Sequence, residues 1–112
     1  MTIGWNWAGA KWWKFDFHNH TPASINDYGN GTNQAQLKQI TPKDWLLNYM
    51  NAGIDCVAVT DHNSGAWIDS LKDALSELAT ENHDSYRHLY LFPGVEINVQ
   101  GNIHILAIFP CD

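Results

Sequence analysis

Residues 54–60 read Ile-Asp-Cys-Val-Ala-Val-Thr, a short and nearly unbroken apolar run between two segments of helical periodicity. A strand of that composition is buried on both faces, and such strands belong to parallel sheets covered by helices. The flanks agree. Thr41-Pro42-Lys43-Asp44 reads as a helix start, with Thr41 as N-cap, Pro42 at the first position and an acid in the first turn. Trp45, Leu46, Tyr49 and Met50 form its apolar stripe, and Gly53 is its stop. After the turn Asp61-His62-Asn63-Ser64-Gly65, a second helix is predicted over 66–80, with Trp67, Ile68, Leu71, Leu75 and Leu78 on one face. Residues 13–18 alternate apolar and polar, a strand that would put Asp16, His18 and His20 on one side. Residues 89–99 form a third strand, kinked at Pro93-Gly94, and 103–109 a fourth. The order β-α-β-α-β-β predicts an α/β fold with a largely parallel sheet. Between the first strand and the first helix, residues 21–40 make a long polar loop, which in a compact domain usually serves function.

The chain of 112 residues has room for one domain, 1–112. Its net charge of −6 argues against a general nucleic-acid or anionic-membrane surface. No apolar run approaches the ~18–20 residues of a membrane span, and residues 1–10 lack the basic start of a signal peptide. Cys56 and Cys111 make no disulfide scaffold, so reduced thiols in a cytoplasmic protein are expected. Four of the six tryptophans (Trp5, Trp7, Trp12 and Trp13) crowd the first thirteen residues, and that segment is expected to pack against something.

Chemistry in α/β folds sits at the C-terminal ends of strands. His18 and His20 end strand one at i, i+2, a spacing that in extended chain sends both imidazoles to one face. His62 follows strand two. Glu96 lies in strand three between Val95 and Ile97, where a carboxylate is costly unless paired or coordinated. His104 begins strand four. A loop centred on Gln100, or a three-residue loop centred on Gly101, puts Glu96 and His104 on the same face. A two-residue Gly101-Asn102 turn separates them. Turn chemistry mildly favours the second, and a shared site requires the first, which is the register adopted. Each residue alone has an ordinary explanation; five in order at strand ends point to a metal site. Asp16 and Asp61 each neighbour a candidate ligand and are read as catalytic-site carboxylates that orient a ring N–H, with capping as the competing role. His83 and His88 belong to a solvated connection.

Asp16-Phe17-His18-Asn19-His20-Thr21, Val59-Thr60-Asp61-His62-Asn63, Pro93-Gly94-Val95-Glu96-Ile97 and His104-Ile105-Leu106 resemble the successive N-terminal motifs of the PHP (polymerase and histidinol phosphatase) domain, over about residues 13–109. The Trp-rich opening resembles PHP modules that begin larger, ATPase-containing proteins of the TrlF type. The resemblance implies a distorted, TIM-like (β/α)7 barrel with two or three divalent metals. It assigns His18 and His20 to the first metal, Glu96 as a bridge, His104 to the second and His62 to the third. Where the family often carries a loop Asp, this chain has Ile25, and Asp27 is the nearest substitute. A complete barrel needs about 200–250 residues. The expectation is therefore the N-terminal part of a barrel, four strands and two main helices, from a longer protein.

The implied activity is a metal-dependent phosphoesterase acting on phosphate esters of small molecules or nucleotides. Imidazole and carboxylate suit Zn, Mn or Fe better than Mg alone. Without the family's later ligands, this chain is expected to bind metal weakly, to be nearly inactive and to self-associate through its open fourth strand. The rival readings are an amidohydrolase-like metal hydrolase, and a non-catalytic regulatory or scaffolding module with a downstream ATPase region as its partner. No membrane partner is expected.

Overall fold

The structure is a computed structural model that describes residues 12–24 and 39–111. Its elements are β1 (Phe15–Asp16), α1 (Pro42–Asn51), β2 (Cys56–Val59), α2 (Ile68–Glu81), β3 (Tyr90–Val99) and β4 (Ile103–Ile108). They form a mixed α/β unit with a curled four-stranded sheet in the order β1-β2-β3-β4. The pairs β1/β2 and β2/β3 are parallel, and β3/β4 is an antiparallel hairpin.

Local chemistry sets the first helix. Thr41 caps α1 by accepting the Asp44 N–H at 3.2 Å, and Pro42 opens the first turn without a wasted donor. Gly53 adopts φ +79°; its N–H bonds to the Met50 carbonyl while the Ile54 N–H bonds to Tyr49. That double closure is a Schellman stop, which turns the chain directly into β2. α2 begins two residues later than its periodicity suggests and has no side-chain cap at Trp67. It ends in left-handed Asn82, where φ is 53°.

Both helices pack on one face of the sheet. Trp45, Leu46 and Met50 of α1 and Leu71, Ala74 and Leu78 of α2 bury Val57, Val59, Leu89 and Leu91. On the other face Phe17 sits between Phe15 and Phe92, with ring centroids 5.0 and 5.4 Å apart. At the end where the parallel strands begin, Asp55 ties three segments together. It accepts the Lys14 backbone N–H and an Arg87 guanidinium N–H, each at 2.9 Å.

Two expectations about the strands are corrected. The first strand is only two residues long, because past Asp16 the chain leaves regular pairing and bonds to β2 through Asn19: the Thr60 N–H bonds the Asn19 carbonyl, and the Asn19 N–H bonds Thr60 Oγ1. β3 runs unbroken through Pro93-Gly94. Gly94 passes between two backbones there; a Cβ would lie 2.8 Å from the Ala107 carbonyl oxygen and 2.9 Å from that of Val59. The tryptophans divide. Trp45 is core, Trp13 packs edge-on against Tyr90, and Trp12 is 96% exposed, so it does not pack as expected. Trp5 and Trp7 lie outside the described residues. No helix among the described residues is long and apolar enough to cross a membrane.

Candidate metal centre

The hairpin register places the first two site residues. Asn98 pairs with His104 and Glu96 with Leu106, so residues 100–102 form a three-residue loop around Gly101. Gly101 and Asn102 both take positive φ, 83° and 58°, which Gly and Asn tolerate best. Glu96 and His104 thus sit diagonally on one face, and the His104 Nδ1 contacts Glu96 Oε2. The register that a shared site requires is the one adopted.

The parallel strands deliver the rest. Beyond Gly94, β2 and β3 meet again in an isolated bridge between His62 and Glu96, closed by Glu96 N–H to the Asp61 carbonyl and Asn63 N–H to the Glu96 carbonyl. His18 Nε2 lies 2.9 Å from Glu96 Oε1, and His20 Nε2 and His62 Nε2 each lie 3.5 Å from the same oxygen. The rings of His20 and His62 stack at 4.9 Å. Glu96 is 1% exposed and surrounded by four imidazoles. Burial pushes its carboxyl upward, but hydrogen bonds from His18 and His104 and the charges of His62 and His18 outweigh it. The net result is a carboxyl below the usual range.

Two sets of donors result, His18/His20/Glu96 and His62/Glu96/His104, with the ligand atoms of each set within 4.8 Å of one another. Ligand atoms at ~2.0–2.1 Å from a tetrahedral ion stand about 3.3 Å apart. The 3.5 Å separations from Glu96 Oε1 are close to that figure. The donor set, imidazole nitrogen with one carboxylate, suits a divalent metal ion. His62 joins Glu96 and His104, whereas the resemblance implied a third metal for it.

The carboxylates of Asp16 and Asp61 both make contacts with neighbouring backbone. Asp61 is fully buried and accepts both the N–H and the hydroxyl of Thr21, each at 2.5 Å. Its Oδ1 stays 4.0 Å from His20 Nδ1, a charge contact beyond hydrogen-bond range. Asp16 accepts the His18 backbone N–H at 3.2 Å and faces α1, where it lines a cavity with Trp45 and Tyr49. It acts as a backbone cap, the competing role. Asp27 and Ile25 lie outside the described residues. His83 and His88 are exposed, away from the site, as expected.

Sequence reasoning assigned no role to Ser24. Its side chain is 2% exposed, and its Oγ accepts the His62 N–H at 3.0 Å and contacts His20 Nδ1 at 3.3 Å. Thr21, Thr60 and Asn19, all buried, complete this polar layer beneath the histidines. The only hint in sequence was small hydroxyl residues three apart, Thr21 and Ser24, directly after His20.

Among solved structures, that of a candidate metal-dependent phosphoesterase from Bifidobacterium adolescentis matches this fold. The TM-score is 0.57 and the identity 25%, over 86% of this chain. The match covers 27% of that chain, so the present sequence spans about a quarter of its relative's length. No family model and no curated protein matches.

Proposed function

We propose that this chain is the N-terminal part of a PHP-type (β/α) barrel and carries the first half of a phosphoesterase metal centre. The observation that carries the reading is Glu96, a buried carboxylate with imidazoles on both of its oxygens. Such a group is stable in an apolar strand only when its charge is compensated, and a bridging position between two cations does so with the donors present. The structural likeness to a candidate metal-dependent phosphoesterase supports the same general kind of chemistry.

His18, His20 and Glu96 Oε1 would hold one divalent ion, and His104, His62 and Glu96 a second, with zinc, manganese or iron the best match to the donors. Ions bound there supply Lewis acidity toward phosphoryl oxygens and acidify a coordinated water. The protein's own contribution is positional. Two backbone bonds fix the Glu96 main chain to the β2 end, and burial with the contacts from His18 and His104 holds its carboxylate between the two histidine sets. His18 and His104 are exposed at the rim, 57% and 48%, which leaves the centre open to a phosphate ester of a small molecule or nucleotide.

Metal content after purification without chelator tests this by mass spectrometry, beside a phosphomonoester and phosphodiester screen. His18→Ala should remove the tighter ion, His104→Ala the other, and Glu96→Ala both. A wild-type chain free of metal, or Glu96→Ala that retains it, overturns the reading.

A further inference from the structure

We propose that Thr21 and Asp61 form a latch that sets the ion affinity of one histidine set and not the other. Their paired bonds, standing in for a strand ladder, hold the chain that carries His18 and His20 against Glu96. Both are positioning residues, acting through the backbone of the histidines beside them.

The two donor sets are mounted differently. Glu96, His62 and His104 sit on backbone that regular pairing holds. β4 pairs with β3 from Gly94 to Val99. β2 meets β3 again at the His62–Glu96 bridge, through Glu96 N–H to the Asp61 carbonyl at 2.9 Å and Asn63 N–H to the Glu96 carbonyl at 3.1 Å. His18 and His20 lie past the end of their ladder, whose last pair is Asp16 with Val57.

Side chains at the end of β2 take over from that point. Thr60 Oγ1 accepts the Asn19 N–H at 3.0 Å and donates to the Asn19 carbonyl at 2.9 Å. Asp61 Oδ1 accepts the Thr21 N–H and Oδ2 accepts the Thr21 hydroxyl, each at 2.5 Å. Asn19 and Thr21 flank His20, so the chain is gripped on both sides of that ligand. Two oxygens on one residue fix its orientation as well as its place, and bonds to a carboxylate are stronger than neutral ones. Asn19, Thr21, Thr60 and Asp61 are all buried, so water competes little for these bonds. Thr21 also fixes the turn that follows, its hydroxyl accepting the Ala23 N–H at 3.1 Å and its carbonyl the Ser24 N–H at 2.9 Å. Removing the Thr21 hydroxyl therefore loosens the end of β1 while the β2–β3–β4 ladders keep His62, Glu96 and His104 in place. The consequence for ion affinity rests on the metal reading above; the latch itself does not.

Amide hydrogen exchange on the chelator-treated full chain reads the latch without any ion. In urea below the unfolding transition, the Asn19, Thr21 and Thr60 amides should open together, ahead of Glu96 and Asn63. Thr21→Val should speed exchange at Asn19 and position 21 about tenfold and leave Glu96 and Asn63 unchanged. Thr21→Ser, which keeps the hydroxyl, should stay within a few-fold of wild type. Zinc titrations separate the two sets: a His104→Ala chain keeps His18/His20/Glu96, and a His18→Ala chain keeps His62/Glu96/His104. Adding Thr21→Val should weaken zinc about 10–100-fold in the first background and only slightly in the second, and Thr21→Ser in its place should restore the first. Equal loss in both backgrounds would make the pair a general stabiliser and overturns the proposal, as does no loss in either. A wild type whose Thr21 amide opens together with Glu96 and Asn63 overturns it too. Should Thr21→Val fail to fold by circular dichroism, the wild-type urea series decides alone. If neither background binds zinc, the metal reading falls and the exchange pattern decides the latch.

Discussion

At the scale of single residues, Glu96 carries the most chemical consequence. Its folded-state carboxyl is held below its ordinary value, so it stabilises the fold at pH above that ordinary value, ~4.3. The contribution is lost as pH falls toward the depressed folded value, where the folded carboxyl finally protonates. Thermal unfolding followed from pH 7 downward in chelator should therefore show a falling midpoint below about pH 4.3, and Glu96→Gln should flatten that stretch of the curve. Equal slopes for both proteins would remove the assignment. Cys56 gives an independent check. Burial, then the charges of Asp55 and Cys111, push its thiol upward. Because the thiolate is the reactive form, alkylation of Cys56 by iodoacetamide should accelerate only above the usual thiol range, ~8.5. Mass spectrometry of timed quenches at several pH values measures this, and fast labelling at pH 7 would contradict it.

At the scale of elements, the site depends on how β3 joins its two neighbours. Gly94 threads between the carbonyls of Ala107 and Val59, both backbone and neither able to swing aside. Gly94→Ala should cost about 1–3 kcal/mol, the range for overpacking, read as a lowered denaturation midpoint with unchanged m-value. A stability within 0.5 kcal/mol of wild type, the ordinary surface range, would show that the strands can part cheaply. The hairpin offers a sharper cut. Deleting Ile103 while the three-residue loop is kept pairs His104 with Val99 in place of Asn98, a slip of one position that turns His104 to the opposite face from Glu96. The deletion should abolish the metal set that includes His104 and spare His18/His20/Glu96, as read by metal stoichiometry. Retention of both ions would mean that β4 re-registers through its other end.

At the scale of the whole molecule, the face of the hairpin opposite Glu96 presents Ile97, Val99, Ile103 and Ile105 at 39–56% exposure. Among the described residues β4 pairs only with β3, so this apolar row borders an unpaired strand edge. Edges of that kind recruit other strands. Light scattering should give a mass that rises with concentration, and Ile103→Lys with Ile105→Lys should restore the monomer; a clean wild-type monomer at high micromolar concentration would refute this. By itself the sequence determined whatever depends on near neighbours. The Thr41 cap, the Gly53 stop, the alternation that puts Glu96 and His104 on one face for an odd loop, and the residue types at the strand ends all follow from chemistry within about ten positions. It also carried the motif resemblance, which a solved structure at 25% identity supports in kind. The tertiary structure alone decided how those groups are shared. Both Glu96 oxygens meet histidines that lie 8 to 78 positions away, a distance that only sheet pairing closes. Asp61 bonds Thr21 while lying 4.0 Å from a His20 ring nitrogen, and Ser24 also reaches His20, because a buried polar group bonds whichever partner the packed backbone brings within reach. The strand expected around Asp16 stopped after two residues for a related reason. Alternation predicts which way a side chain would point in a strand, but the chain remains a strand only while a neighbour supplies ladder bonds, and past Asp16 that neighbour offered Thr60 to Asn19 instead.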